Sequence, residues 1–111
     1  MRQYVTSEGT TALLKDNSID MEGTDPSAVD PIIDAAKGLY GPTQQRLVVT
    51  SAADGKHMQG SLHYSGEALD LRIWNLPTPA QVAERLQQKL GLDYDVVHHE
   101  GSHIHVEFDP A

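Results

Sequence analysis

The sequence contains no cysteine, which excludes disulfide bonds and thiolate metal sites. Basic residues are also scarce: eight lysines and arginines stand against 16 aspartates and glutamates, for a formal net charge of −8. Because binding to a phosphate backbone needs a basic face, we expect no nucleic-acid partner. The sequence has no apolar run long enough to span a bilayer, and its first residues lack the apolar stretch of a signal peptide, so we expect no membrane contact.

The chain of 111 residues has the length of one domain, which we assign to residues 1–111 with the first 25 unassigned apart from a candidate strand in TTALL. Hydrophobic periodicity and turn residues predict five further elements. These are a helix over 26–39 closed by glycines, a strand over 46–52, a strand over 68–74, a helix with a Thr78–Gln81 capping box that stops at Gly91, and a hairpin of strands 94–99 and 103–108. This order predicts an α+β fold, in which a small antiparallel sheet is flanked by helices.

Histidine is absent before His57, yet four of the six histidines fall in HHEGSHIHVE, residues 98–107. In a strand, alternate side chains share a face, so His103, His105 and Glu107 point one way. The opposite row, from Ile104 to Phe108, is apolar and can face a core. Taken alone, this HxH pattern is typical of a solvated polar strand edge, and His98 and His99 are interpreted as structural or solvent-facing.

A second cluster favours metal chemistry. His63 and Asp70 lie seven residues apart in SLHYSGEALDL, with Gly66 between them to allow a bend. Asp70 is flanked by leucines in a strand predicted to be buried, where a carboxylate is costly unless it is paired or binds a cation. Two imidazoles and one carboxylate are the ligand composition of a catalytic zinc site that keeps a fourth position for water. The alternative is a structural zinc site, but such sites commonly use cysteine ligands and the chain has no cysteine. A catalytic site that keeps one position open is therefore favoured.

At this point the residues resemble a known family. The pattern SxHxxGxAxD is typical of zinc metallopeptidases that include D-Ala-D-Ala carboxypeptidases, dipeptidases and phage endolysins. The matching residues here are Ser61, His63, Gly66, Ala68 and Asp70, followed downstream by the HxH of 103–105. The resemblance is closest to the N-terminal signalling domain of hedgehog proteins. It extends over roughly residues 46–108 and includes His57, six residues before His63.

The resemblance implies a role for each matching residue. His63, Asp70 and His105 would hold one zinc ion per chain, with His103 as the neighbour that hydrogen-bonds the water or the oxyanion. Glu100 would be the general base, and His57 and Ser61 would support the ligands or face the substrate. Because Glu100 is spaced differently from HxH than in the family, His103 stays open as an alternative ligand and Glu107 as an alternative base.

Four further residues bear on the function. Many carboxypeptidases of this group carry an arginine before the SxH motif to hold a substrate carboxylate, whereas this chain offers Lys56 there. Arg72 alternates with Asp70 and is interpreted as a carboxylate clamp, with an exposed, ion-pairing arginine as the alternative. Trp74 is expected in the core or in a cleft wall. Only Asp54 remains of the calcium-binding acidic cluster of animal hedgehogs, so a calcium-tuned adhesion role is unsupported.

The resemblance thus implies a zinc peptidase that hydrolyses an amide in peptidoglycan stem peptides, D-Ala-D-Ala or a related bond. The alternative is a hedgehog-like binding module that is stabilised by zinc and does not catalyse hydrolysis. A third possibility, suggested only by the missing signal sequence, is a metal-dependent hydrolase that acts on a cytoplasmic peptide. We expect a monomer made in the cytoplasm, and either released to the cell wall by lysis or, if the sequence is trimmed, secreted.

Overall fold

The computed structural model describes residues 2–54, 66–74 and 76–110 and has an α+β fold. Six strands form one sheet, and two helices pack against each other and against the sheet. The elements are β1 (Gln3–Val5), β2 (Thr11–Leu14), α1 (Pro26–Tyr40), β3 (Val48–Ser51), β4 (Ala68–Arg72), α2 (Pro79–Leu90), β5 (Tyr94–His99) and β6 (His103–Phe108). The prediction of an α+β fold is confirmed, whereas the sheet, predicted as small and antiparallel, has six strands and is mostly but not entirely antiparallel.

The strand order is β1-β2-β3-β4-β6-β5, and the pairs are antiparallel except for β2 and β3. The hairpin of β5 and β6 forms as predicted, with an unbroken register from Tyr94 opposite Phe108 to His99 opposite His103. Alternation buries Ile104 and Val106 completely, so this row faces the helices while the histidine row faces away. The strand β1 and the parallel pairing of β2 with β3 were not predicted. The three residues of β1 are too few to show a hydrophobic alternation.

The ends of the two helices have different chemistry. Asp25 caps α1, since its carboxylate accepts a hydrogen bond from the Ser27 backbone N–H at 3.0 Å. This helix runs through Gly38 to Tyr40 and continues into a 3₁₀ turn, so the predicted stop at the glycines is only approximate. The predicted capping box of α2 is wrong: Thr78 makes no side-chain cap hydrogen bond, and its ψ of 70° lies outside the usual extended range. Within the described residues, neither helix combines the length and apolar character needed to cross a membrane.

The N-terminal segment is tied down by buried polar contacts and by a close backbone approach. Asp30 is buried and accepts hydrogen bonds from the Tyr4 hydroxyl and the Ser7 backbone N–H. Further along, the Asp25 N–H donates to the Gly66 carbonyl at 2.8 Å. Gly66 has a φ of +77°, and a Cβ there would lie 2.3 Å from the Gly23 carbonyl oxygen. Glycine is therefore required where the N-terminal loop meets the start of β4.

The edge strand β5 is partly covered by one side chain of α2. The carboxamide of Gln87 donates through Nε2 to the Tyr94 carbonyl at 2.6 Å and accepts through Oε1 from the Val96 N–H at 2.9 Å. These two backbone groups point away from β6. Gln87 therefore makes the hydrogen bonds that an additional strand, added beside β5, would otherwise make.

Candidate metal centre

The pairing of β4 with β6 brings the two sequence motifs together. Asp70 lies opposite His105, and Arg72 lies opposite His103, in an antiparallel register. Directly opposed residues of an antiparallel pair point to the same face, so these four side chains share the face away from the helices. Leu71 and Ile104, the opposed pair between them, are fully buried on the other face. The predicted alternation therefore places the candidate residues on one surface.

Asp70 and His105 are in direct contact. Asp70 Oδ1 lies 2.8 Å from His105 Nδ1, and the two side chains are only 15% and 16% exposed. His105 Nε2 lies 2.8 Å from Glu107 Oε1, so both ring nitrogens face carboxylates. The hydrogen bond with Asp70 raises the pKa of His105, burial opposes this shift, and the hydrogen bond with Glu107 adds to it. Without a metal, the imidazolium form satisfies both carboxylates, because it donates from both nitrogens.

His103 flanks this pair with a defined orientation. Its Nε2 lies 3.6 Å from Asp70 Oδ2, and its Nδ1 lies 2.7 Å from the Ser102 hydroxyl oxygen. A neutral ring that accepts from Ser102 at Nδ1 carries its proton on Nε2 and directs that proton towards Asp70. In the tautomer in which Ser102 donates to Nδ1, His103 is a hydrogen-bond donor on the site face.

The other two histidines of the cluster point to opposite faces, as predicted. The His99 ring stacks on the His103 ring, with 4.6 Å between centroids and 25° between planes, and it lies 6.4 Å from the His105 ring. His99 is exposed, but it extends the imidazole row by one strand, a role that the sequence interpretation missed. The hairpin register was the signal available, since it sets His99 opposite His103. His98 lies on the helix side, and its buried Nε2 has no hydrogen-bond partner among the described residues.

The two candidate bases have different surroundings. Glu100 is exposed in the turn between β5 and β6, and within the described part of the chain its carboxylate makes no hydrogen bond or ion pair. Glu107 is bound to His105 Nε2. A carboxylate that accepts from the outer nitrogen of a ligating histidine orients the ring and raises its basicity. Glu107 is therefore better placed to orient His105 than to act as a base, and the assignment of Glu100 stays a prediction.

Arg72 and Trp74 extend the same face beyond His103. The guanidinium carbon of Arg72 lies 4.1 Å from the centroid of the Trp74 ring, and Trp74 is 68% exposed. The expectation of Trp74 in the core is wrong: Ile73 takes the inward position, and alternation turns Trp74 outwards beside Arg72. Arg72 has no carboxylate within 4.0 Å among the described residues, so the ion-pairing alternative is not realised there.

Three predicted site residues, His57, Ser61 and His63, lie outside the described residues. Asp54 lies within them, and its Oδ1 accepts from the backbone N–H groups of Asp20 and Ala52 at 2.8 and 2.9 Å. That contact joins two loops, which gives Asp54 a structural role.

Asp70 and His105 supply donor atoms of the kinds that zinc accepts. Two ligand atoms about 2.0 Å from a tetrahedral ion lie about 3.3 Å apart. The 2.8 Å contact of Asp70 with His105 is shorter than that value and is a hydrogen bond, so the two side chains would have to separate slightly to hold an ion between them. One carboxylate and an imidazole are also ligands that zinc accepts, and Glu107 supplies the outer hydrogen bond that ligating histidines usually have.

A separate acidic group lies at the far end of β6. Ligand oxygens of Asp95, Glu107 and Asp109 fall within 4.8 Å of one another, and two of these residues are exposed. An all-carboxylate set suits calcium or magnesium better than zinc. Exposed acidic groups of this kind are common without an ion, so this one is a competitor to be tested against the Asp70–His105 pair.

No protein-family model matches the chain, and no significant match is found among curated proteins. The resemblance to zinc metallopeptidases therefore rests on the motif residues and on their arrangement.

Proposed function

We propose that the protein is a zinc-dependent peptidase that hydrolyses an amide bond in peptidoglycan stem peptides, D-Ala-D-Ala or a related bond. The observation that carries the proposal is the contact of Asp70 with His105, because each residue comes from a different motif of the metallopeptidase pattern. The six-stranded sheet with both helices on one face is compatible with a fold of the hedgehog and D-Ala-D-Ala metallopeptidase type, which we include in the proposal.

Asp70 and His105, with His63 as the third ligand, would hold one zinc ion per chain. When bound, such an ion supplies Lewis-acid polarisation of a carbonyl and lowers the pKa of a water to about 7. Glu107 supports this arrangement, because its hydrogen bond to Nε2 leaves Nδ1 of His105 directed at Asp70. The partial burial of Asp70 and His105 keeps the local dielectric low, which strengthens charge interactions.

Side chains of the β5–β6 hairpin perform the remaining steps of the proposed reaction. Glu100 accepts the proton of the attacking water and returns it to the leaving amine, as a general base and then a general acid. His103 donates its Nε2–H to the carbonyl oxygen as negative charge develops there. This role requires the tautomer in which the Ser102 hydroxyl donates to Nδ1 and the ring proton is on Nε2, an arrangement that the 2.7 Å contact of the two residues allows.

Digestion of purified peptidoglycan fragments tests the proposal. Mass spectrometry should detect new amine and carboxyl termini with zinc added, and a chelator should abolish them. Glu100→Gln should slow release by about 10² to 10⁴-fold, the usual contribution of a general base. Glu84→Gln, an exposed glutamate of α2, is the matched control and should retain full activity. Unchanged hydrolysis by Glu100→Gln would contradict the mechanism.

A hedgehog-like binding module that zinc stabilises without turnover is the second candidate. The observation that favours it is the exposure of Glu100, which lies in the turn between β5 and β6. Such a module would bind zinc and would be stabilised against urea by it, while releasing no amine from peptidoglycan fragments. Zinc binding and amine release, measured on the same preparation, separate the two candidates.

A further inference from the structure

The stretch 55–65 carries three predicted site residues, and the structure describes the chain at both of its ends. At the first end, Asp54 Oδ1 accepts from the Asp20 N–H at 2.8 Å and from the Ala52 N–H at 2.9 Å. The Ala53 N–H donates to the Asp20 carbonyl at 3.1 Å. Both backbone groups of Asp20 are thus bound to the chain just before the stretch.

The second end of the stretch is bound to the same N-terminal loop. The Gly66 carbonyl accepts from the Asp25 N–H at 2.8 Å. Gly66 is buried and lies so close to this loop that a Cβ there would be 2.3 Å from the Gly23 carbonyl oxygen. The loop of residues 20–25, which we term the clamp loop, therefore holds the chain on both sides of 55–65.

The clamp loop is itself braced and anchored. The Gly23 N–H donates to Asp20 Oδ1 at 2.9 Å, and the Thr24 hydroxyl donates to the Met21 carbonyl at 2.6 Å. Thr24 and Met21 are buried, and Ile19, just before the loop, belongs to the hydrophobic core together with Met21. Both ends of the stretch are therefore attached to an element that the core holds in place.

We propose that the clamp loop positions His63 for zinc by fixing both ends of the chain that carries it. A chain with fixed ends has fewer conformations open to it, so less conformational entropy remains to be lost when one of its side chains binds an ion. Asp54 and Gly66 are positioning residues in this arrangement, since neither is a proposed ligand. The inference rests on the proposed function, in which His63 is the third zinc ligand, and it gives the N-terminal segment a part in building the site.

Zinc affinity, measured on the full chain by competition with a chromophoric chelator, tests the clamp loop. Asp54→Ala removes the acceptor of two backbone N–H groups and should weaken zinc binding about tenfold or more, as for loss of hydrogen bonds to a charged group. Asp54→Asn should retain most of the affinity, because both N–H groups bind a single oxygen and a carboxamide also offers one. Retention in Asp54→Asn excludes an effect of the negative charge alone. Stoichiometry should stay at one zinc per chain in both variants.

Matched controls separate positioning from a general loss of stability. Asp16→Ala removes another carboxylate of the N-terminal segment, one that accepts from the Ser18 N–H at 2.8 Å and not from either end of 55–65, and it should leave zinc affinity unchanged. Gly66→Ala should weaken zinc binding, whereas Gly9→Ala should not, because no atom lies within 4 Å of the carbon added at Gly9. Circular dichroism at the temperature of the titration checks that each variant is folded.

The outcomes separate this inference from the peptidase proposal. Unchanged zinc affinity in folded Asp54→Ala or Gly66→Ala overturns the clamp, even when the wild-type protein releases amines from peptidoglycan fragments. An equal loss in Asp16→Ala also overturns it, because the effect would then be one of general stability. Zinc affinity that depends on Asp54 and Gly66, without release of amine by the wild-type protein, supports the clamp and rejects the peptidase. A wild-type protein that binds no zinc overturns both.

Discussion

Asp70 and His105 lie 35 positions apart in the chain, yet Oδ1 of one is 2.8 Å from Nδ1 of the other. Two features of the sheet bring them together. The strands β4 and β6 are direct neighbours, and their antiparallel register places the two residues opposite each other. The contact therefore depends on hydrogen bonding of the backbone as much as on the two side chains.

Zinc binding should depend on this pair. Elemental analysis after dialysis should find one zinc per chain in the wild-type protein, and Asp70→Asn and His105→Gln should each abolish it, because each would delete a proposed ligand. The control is Asp109→Asn, which alters the separate acidic group but leaves the pair intact. Zinc that survives Asp70→Asn and is lost in Asp109→Asn would move the metal site to the acidic group.

Glu107 should tune the affinity for zinc without being a ligand. Its carboxylate accepts from His105 Nε2, and loss of such an outer partner costs about 10 to 100-fold in metal affinity. We expect Glu107→Ala to lower the affinity for zinc by that factor. Glu107→Gln should lower it less, since the carboxamide oxygen can still accept the hydrogen bond from His105 Nε2. Competition with a chromophoric chelator measures both constants. Stoichiometry should stay at one zinc in each variant, and complete loss of zinc would make Glu107 a ligand.

The stability of the metal-free protein should fall as pH rises above neutrality. Asp70 and Glu107 raise the pKa of His105, so the folded state binds this proton more tightly than the unfolded chain does. The resulting stabilisation is complete below the ordinary histidine pKa of about 6.5 and is lost as pH rises through the raised value. Urea titrations over this window should show the decline.

The matched variants for this pH effect are His105→Gln and His99→Gln. The first should flatten the dependence of the unfolding free energy on pH, and the second should preserve it, because His99 is exposed and no carboxylate is hydrogen-bonded to it in the described structure. An identical slope in wild type and His105→Gln would assign the effect to another group. Zinc affinity should rise over the same window, since the ion must displace the proton.

Gly66 should be the least replaceable glycine with a positive φ. Gly66→Ala adds a Cβ 2.3 Å from the Gly23 carbonyl oxygen, in addition to the cost of about 1–2 kcal/mol for a left-handed residue. Gly9→Ala is the matched control, because its φ is +87° and no atom lies within 4 Å of the added carbon. The free energy of unfolding should fall clearly further for Gly66→Ala. Equal losses would mean that the loop moves aside without cost.

The residues at the N-termini of the two helices, Asp25 and Thr78, should contribute differently to the free energy of unfolding. Asp25→Ala should lower the free energy of unfolding by about 1 kcal/mol, because its carboxylate caps α1. Thr78→Ala should cost less than about 0.5 kcal/mol, because Thr78 makes no cap hydrogen bond at α2. A loss of similar size at Thr78 would show that the capping box forms in solution.

Much of the fold could be predicted from the sequence because its pattern is local. Alternation along 103–108 identified both faces of β6, and helical spacing located α1 and α2 within a few residues. The N-terminal strands were harder to predict, since β1 has only three residues and β2 pairs in parallel with a strand more than thirty positions away. Such pairing is decided by the tertiary fold and leaves no local periodicity.

The candidate site, too, could be predicted from the sequence only in part. Alternation predicted that His103, His105 and Glu107 share a face, but only the β4–β6 register put Asp70 beside His105. The contact of Glu107 with His105 Nε2 depends on side-chain rotamers that spacing does not determine. Of the two positions predicted for Trp74, the core is wrong because Ile73 takes the inward position, while a place in a cleft wall stays a prediction.

The carboxamide of Gln87 occupies the place of a seventh strand. Its nitrogen and oxygen engage one carbonyl and one N–H on the outer side of β5, the groups that an incoming chain would have to pair first. Any addition to this end of the sheet must break both hydrogen bonds before it gains its own. A single uncharged side chain therefore opposes aggregation at an edge that carries neither lysine nor proline.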